Sequence, residues 1–357
     1  ASTRGLTIRN GLVRAWGQNG INAVNSVSSV FERVRVEGVA FDGIYAGPNS
    51  TAALCTASFN GGYGIYVGPY SIITECRANN NTESGIYVNG SGGRITNCSS
   101  SLNSKHGFVM SFGGSLTACT AAFNGWSGFS LVAGAAAVDC IAMNNSFDGF
   151  NCVDDVRLTN CSARNNLQRG FNMGARPLIT NCTATENNLE GIRITDSGLV
   201  TACSVERNDA VGIRLLQGGA ITDSTVSNNG SHGIRTGPDT PGAVPGTLVA
   251  RCRVNANGGD GIRVFRDSTV SDNTVTQHPS GAGIRADDFF NTIKDNHVTN
   301  GGTGILVPTA SCTIVRNVCR NNGSNYTVTM PGNMLGTIVN SDALLNQASN
   351  ALVNVSQ

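Results

Sequence analysis

Apolar and polar positions along this chain repeat about every 21 residues, with no run of the 3.6-residue spacing that marks an amphipathic helix. A Gly-Ile or Gly-Phe pair stands at Gly20, Gly43, Gly64, Gly85, Gly107, Gly128, Gly149, Gly170, Gly191, Gly212, Gly233, Gly261, Gly283 and Gly304. Successive separations are 21 or 22, apart from 23 at the first step and 28 between Gly233 and Gly261. Each unit reads apolar, Thr, Asx, Cys, Thr, Ala or Val, then Asn, then Gly-Ile-x-Val. That pattern predicts two or three short strands separated by turns. A unit so short cannot bury an apolar face alone and has to stack on its neighbours. The cysteine position of the unit falls at residues 11, 34, 55, 76, 98, 119, 140, 161, 182, 203, 224, 252, 273, 296 and 317, so about fifteen coils are predicted.

Stacking in register predicts rows of like residues. After the glycine come Ile21, Ile44, Ile65 and Ile86, then Phe108, Phe129, Phe150 and Phe171, then Ile192 and isoleucines onward to Ile305. Two residues past the cysteine position, Ala57, Ala78, Ala121, Ala142, Ala163 and Ala184 give way to Val205, Val226, Val254, Val275 and Val298. Large side chains on one wall thus meet small ones on the other, as close packing requires. A polar row, Asn60, Asn81, Asn103, Asn124, Asn145, Asn166, Asn187, Asn208, Asn229 and Asn257, sits five residues after the cysteine position. Asparagine tolerates left-handed backbone and bonds to its own kind one coil away, so these residues are expected to form an asparagine ladder at a left-handed turn.

Units of the type TNCTATENNLEGIRI, together with the asparagine row, make the chain resemble the right-handed parallel β-helix repeat proteins, bacterial secreted or envelope proteins with the pectate-lyase-like superfold. The resemblance covers roughly residues 5 to 329 and implies an all-β, single-stranded right-handed parallel β-helix. Its handedness also agrees with the crossover rule for parallel strands. The expected organisation is a β-helix over 1–329 with a Pro- and Gly-rich loop excursion at 236–246, followed by a C-terminal capping or assembly tail at 330–357. That fold carries lyases, polygalacturonases, alginate epimerases, phage tailspikes and non-catalytic surface proteins, so function has to come from a site. The polygalacturonase-like combination of Asn-x-Asp, Asp-Asp, Gly-His-Gly and Arg-x-Lys is not found, nor is the epimerase Asp-Pro-His-Glu motif.

Composition narrows the classes further. Of 357 residues 40% are hydrophobic and only 13% charged, with 24 basic against 23 acidic, which gives no global attraction to nucleic acid or anionic membrane. No stretch reaches the ~20 apolar residues of a spanning helix. Nine of the 12 cysteines follow the repeat, so they are not zinc-type pairs. Inward thiols act as small hydrophobes, and in-register side chains point the same way, which disfavours the dihedral of a disulfide. A cysteine ladder of buried free thiols is expected.

Chemistry is sought on the outward position two residues after each glycine. It carries Tyr45, Tyr66 and Tyr87, a neutral centre, then Arg193, Arg214, Arg235, Arg263 and Arg285. Aromatic rings and guanidinium forks suit sugar rings and their carboxylates or sulfates, which makes these eight the candidate ligand-binding residues. Neighbouring arginines repel, and Glu190, Asp196, Asp209, Asp260, Asp287 and Asp288 are the internal groups placed to offset them. Asp154, Asp155 and Asp196, with Arg176 in the intervening coil, are the candidate catalytic carboxylates; the same groups also make an ordinary surface ion network. His106, His232, His278 and His297 are spaced as residues isolated from one another, so no metal site and no cofactor is expected. The leading expectation is a secreted or cell-surface structural or adhesive β-helix that presents a repetitive face to polysaccharide or to other copies of itself. The alternative is a polysaccharide lyase or glycoside hydrolase acting on an acidic polymer. Residues from Gly5 onward already fit the repeat, so the first coil is expected either to have lost a cap or to be covered in a head-to-tail homo-oligomer or filament.

Overall fold

The computed structural model describes residues 3–238, 246–339 and 354–356. Most of the expected excursion at 236–246, and residues 340–353 of the expected tail, lie outside the described residues. Every element is a short strand paired in parallel, with no helix among the described residues. The fold is a right-handed parallel β-solenoid of about fifteen turns and divides into two compact units, residues 1–174 and 175–357.

Each coil contributes one strand to each of three sheets. In the first unit a coil reads Ile72–Thr74, Arg77–Asn79 and Ile86–Val88. The inward residues pair rung by rung: Ile73 with Ala52 and Ile95, Ala78 with Ala57 and Ser100, Ile86 with Ile65 and Phe108. A coil of the second unit reads Leu199–Thr201, Ser204–Glu206 and Ile213–Leu215. Strands stay this short because the chain turns a corner at a left-handed residue after every one or two pairs of ladder bonds. Tyr70, Glu75 and Asn80 take φ of 57°, 52° and 57° at three successive corners. The expectation for the asparagine row needs correction here. The left-handed residue is the one before each ladder asparagine, and in the first unit it includes Phe59, Leu102 and Phe123, at φ of 58°, 57° and 57°. The asparagine itself turns inward and is released from that duty.

Inside the first unit, Phe108, Phe129, Phe150 and Phe171 are fully buried and stack with centroids 5.0, 4.6 and 5.0 Å apart and planes within 13° of parallel. The preceding glycines are demanded by space. A Cβ on Gly43 would sit 2.5 Å from the Gly64 carbonyl oxygen and 2.7 Å from Asn60 Nδ2.

Two polar rows run through the core. In the first, Asn60 Nδ2 donates to Asn81 Oδ1 at 2.9 Å, and the pattern continues through Asn103, Asn124 and Asn145 to Asn166. In the second unit it runs from Asn187 through Asn208 and Asn229 to Asn257. The second row is the cysteine position. Cys55 N–H donates to Cys76 Sγ at 3.4 Å, while Cys76 Sγ donates to the Thr74 carbonyl at 3.2 Å. Further along, Cys203 N–H donates to Ser224 Oγ at 3.1 Å and Cys252 N–H to Asn273 Oδ1 at 2.8 Å. Asn273, Asn296 and Asn317 then hand on the same bond, which Asn354 receives last. Thiol, hydroxyl and carboxamide each both accept and donate, which is what the position asks for. All twelve cysteines are buried and none is in a disulfide. Burial pushes the thiol of Cys252 up to about 11 and that of Cys319 up to about 12.

Coil geometry continues beyond residue 329. Met334–Leu335 pairs with Thr313 and Ile314, and Asn354–Ser356 pairs with Val318 and Cys319.

Candidate functional site

The outward residues of the third sheet are set by alternation along its strands, which in Ile65–Val67 and Ile213–Leu215 reads buried, half-buried, buried. In the first unit Tyr45 lies opposite Tyr66 and Tyr66 opposite Tyr87. Their rings meet edge to face, with centroids 4.8 and 5.0 Å apart. Tyr63, from the turn beside the sheet, comes within 5.4 Å of both Tyr66 and Tyr87 and makes the strip a four-ring cluster. Asn89 Nδ2 donates to the Tyr66 hydroxyl. Burial raises the phenol pKa of Tyr63 and Tyr66 above the ordinary value, so both keep their protons and can donate to a sugar oxygen.

A neighbouring cluster escaped the reading of the sequence. Lys105 pairs with Glu83 at 2.7 Å and stands 5.4 Å over the Trp126 ring. His106 meets the same indole edge-on at 5.1 Å, and Phe147 lies 6.5 Å beyond. Glu83, Lys105, Trp126 and Phe147 all stand seven residues after the cysteine position. Comparing that one offset across coils would have found them.

In the second unit the arginine column forms as expected. Arg193 is opposite Arg214, Arg214 opposite Arg235, Arg235 opposite Arg263, and Arg263 opposite Arg285; Leu306 ends it. The guanidinium groups lie low on the face: side-chain exposure is 14% for Arg214, 24% for Arg263 and 34% for Arg285. Glu190 is 3.5 Å from Arg214, and Asp287 serves both Arg263 and Arg285. Asp288 pairs with Arg266 at 3.6 Å. Asp260 works differently from expectation. Its Oδ1 accepts the Ala282 N–H at 2.8 Å and its Oδ2 lies 3.4 Å from His232 Nδ1. Asp42 and Asp148 occupy the same offset, directly before a glycine, and likewise accept the N–H one coil on, from Tyr63 at 2.8 Å and Arg169 at 3.0 Å. These acids hold coils together. Phe265 lies 6.0 Å from the Arg235 guanidinium and 5.7 Å from that of Arg263. A depression of about 310 Å³ lined by Asp260, Arg285, Thr303 and Leu306 opens beside them.

Three of the histidines have partners of other kinds, which the sequence did not show. His106 touches Trp126 and His232 touches Asp260. His278 takes the position of a ladder asparagine, 1% exposed, against the backbone of Val254, Asn257 and Gly259. Neither of its ring nitrogens makes a hydrogen bond of good geometry.

The carboxylate trio is distributed over both units. Asp154 and Asp155 follow strand Phe150–Cys152 in the first, with Asp155 at φ 59°. Asp196 ends strand Ile192–Asp196 in the second, where its Oδ1 accepts the Ser197 hydroxyl at 2.6 Å and its carbonyl accepts the Arg176 N–H at 2.8 Å. Among the described residues no group of three or more His, Cys, Asp or Glu side chains is placed to hold a metal ion, and no helix is long and apolar enough to cross a membrane.

Comparison with known proteins bears on the fold. None of the curated proteins compared matches the chain. Among solved structures, it is similar to the A-module of an Azotobacter vinelandii mannuronan C-5 epimerase, at 14% identity over 89% of this chain and 90% of that one, with a TM-score of 0.43. A periplasmic alginate epimerase gives 10% identity over 93% and 76%, TM-score 0.39. A tailspike protein mutant of the E. coli bacteriophage HK620 gives 12% over 85% and 57%, TM-score 0.37. The family model described as "Right handed beta helix region" matches residues 2–167 and 154–288. That match spans well over half of the sequence, and the chain belongs to the right-handed β-helix family.

Proposed function

We propose that this protein is a secreted or cell-surface β-helix with a structural or adhesive role, and that the third-sheet face of its second unit binds an acidic polysaccharide. The observation that carries this reading is the column of arginines on five successive rungs. Planar guanidinium forks favour carboxylate and sulfate oxygens, and a linear row of them complements a linear polymer that bears such groups at intervals. Phe265 adds a flat apolar surface beside two of the forks. The tyrosine cluster of the first unit supports the same class of ligand, since half-buried rings with protonated hydroxyls offer sugars both an apolar face and a donor.

A second reading, a polysaccharide lyase or glycoside hydrolase acting on the same polymer, draws on the His232–Asp260 pair beside the arginines, a titratable pair at a charged surface. One experiment separates the two. The chain is incubated with polyuronates and with neutral glucans, binding is followed by affinity electrophoresis, and products are assayed as unsaturated ends or new reducing ends. Retardation by polyuronates alone, weakened by Arg214→Ala or Arg235→Ala, with no product formed, supports the binding role. Turnover that these substitutions abolish establishes the enzyme instead. No retardation by any acidic polymer defeats both.

A further inference from the structure

His232 has two ring nitrogens and, when neutral, a single proton to share between them. Its Nδ1 accepts the Asp260 backbone N–H at 3.0 Å, so the proton of the neutral ring belongs on Nε2. Nε2, however, faces Arg263 Nη1 at 3.4 Å, and a guanidinium nitrogen only donates. The other tautomer turns Nδ1–H toward Asp260 Oδ2, 3.4 Å away, but sets it against the N–H it had been accepting. In the first tautomer two donors face each other 3.4 Å apart with no acceptor between them, on side chains that are both partly exposed. A single anionic oxygen there accepts from both.

The surroundings favour such an oxygen. His232 lies just before strand Ile234–Thr236, which carries Arg235; Asp260 and Arg263 come from the next coil, and Arg285 and Asp287 from the coil after. On the preceding strand stands Arg214, with Glu190 beside it at 3.5 Å. Asp287 takes the Nε edges of Arg263 and Arg285, which leaves Arg263 Nη1 directed at the histidine. The histidine and Arg263 keep 17% and 24% of their side chains exposed, enough for a polymer substituent to reach them. Burial is the first influence holding the ring neutral; the Asp260 carboxylate opposes it, and the charges of Arg263, Arg235 and Arg285 add to it. An anion bound between the two donors cancels part of that positive field, so the ring then gains a proton more readily, on Nδ1, which gives up the Asp260 N–H and takes Asp260 Oδ2, 3.4 Å away, as its acceptor.

We propose that His232 and Arg263 form an anion subsite within the arginine face, taking one carboxylate or sulfate group of the polymer, and that filling this subsite draws a proton onto His232. The proposal rests on the acidic-polymer reading of that face. By linkage, a ligand that favours the protonated form binds more tightly as pH falls.

The test uses the full chain and dextran sulfate, whose charge is constant across the range, with neutral dextran as control. Affinity is measured by titration calorimetry from about pH 5.5 to about pH 8, which brackets the ordinary histidine range. Each measurement is repeated in two buffers of different ionisation enthalpy, so that proton uptake is read directly. The affinity is expected to rise on acidification, by up to about tenfold for each pH unit by which the bound anion raises the ring's pKa. His232→Asn is expected to remove that slope and the proton uptake. Asparagine suits the position, because Asn19, at the same offset, accepts the Asp42 N–H through Oδ1 at 3.0 Å. Histidine ring resonances followed by NMR with and without dextran sulfate give a second readout in the unaltered chain, in which the His232 titration moves to higher pH on binding. Binding that is independent of pH, a slope unchanged in His232→Asn, or a ring titration that does not move overturns the proposal while leaving the polymer face standing. Failure of dextran sulfate to bind at any pH overturns both.

Discussion

Removing one ring from the phenylalanine stack is the sharpest probe of how the first unit is held together. Phe150 is fully buried and lies 4.6 Å from Phe129 and 5.0 Å from Phe171, with near-parallel planes. Phe150→Ala forfeits the transfer of a buried aromatic side chain, about 1.5 to 3 kcal/mol. It also forfeits two ring–ring contacts at roughly 0.5 to 1.5 kcal/mol each. Relaxation offers little relief, since the inward residues of the second sheet at this level, Ala142 and Ala163, are too small to move into the gap. The sum, about 2.5 to 6 kcal/mol, brackets the roughly 3 to 5 kcal/mol typical of Phe→Ala in cores that cannot collapse. Urea unfolding monitored by circular dichroism reads the loss, with Phe112→Ala as the control, because Phe112 is 58% exposed. Since each coil touches only its neighbours, the variant is also expected to unfold in more than one step. A Phe150→Ala chain that unfolds at the parent's midpoint, in a single transition, would refute the argument that these rings are the packed interior.

Three other outcomes are expected. His278→Asn extends by one coil the amide row that ends at Asn257, where a neutral imidazole now stands. Burial lowers the His278 pKa, so the folded chain resists a proton that the unfolded chain accepts, and stability present above about pH 6.5 is lost as pH falls through that value. The variant should therefore gain stability at pH 5 more than at pH 8, by at least ~1 kcal/mol at the lower pH, as read from denaturation midpoints at the two values; equal gains at both count against the titration argument. Phe123→Asn should stabilise by roughly 0.5 to 1 kcal/mol, because a left-handed backbone disfavours Phe more than Asn, and the ring, 55% exposed, gives up little burial. Thermal melting checks the sign. The twelve buried thiols should ignore an aromatic disulfide reagent in the native protein and all react once it is unfolded without reductant; a denatured count near zero would reveal disulfides.

The repeat, the inward Ile and Phe rows and the asparagine row were legible in the sequence because stacking in register turns equal offsets into spatial neighbours. What stayed hidden depends on which atom of a neighbour is near. The cysteine position looked like a hydrophobic slot until Ser224 and Asn273 were seen to accept the same N–H that Cys76 accepts. Asp260 looked like a counter-ion for arginine, yet one oxygen is committed to the Ala282 N–H. His232 and Asp260 both stand directly before a glycine of the repeat, on adjacent coils, but the 28-residue step between those glycines hid the contact. The corners were misread by one residue. A bulky Phe or Leu in left-handed backbone is so unfavourable that propensity alone assigns the turn to the asparagine beside it.

The corners also determine where this chain tolerates insertions. Asn10 and Ala15, Leu54 and Phe59, Glu75 and Asn80, Asp223 and Asn228, and Arg316 and Asn321 are successive left-handed corners, and each pair is separated by five residues. Between them lies the second-sheet strand with its hydrogen-bonded slot, and one added residue there would turn Cys76, Ser224 or Asn317 away from the N–H it serves. The seven additional residues between Gly233 and Gly261 fall outside that segment, in the connection from Ile234–Thr236 to Thr247–Ala250. Length can therefore change by whole coils, which keep every row intact, or in the connections outside that segment, and the largest change, the seven residues, falls where the chain leaves the third sheet. Connections there border the face that carries the arginines, so the chain can acquire new loops next to its binding surface without disturbing the rows that hold the coils in register.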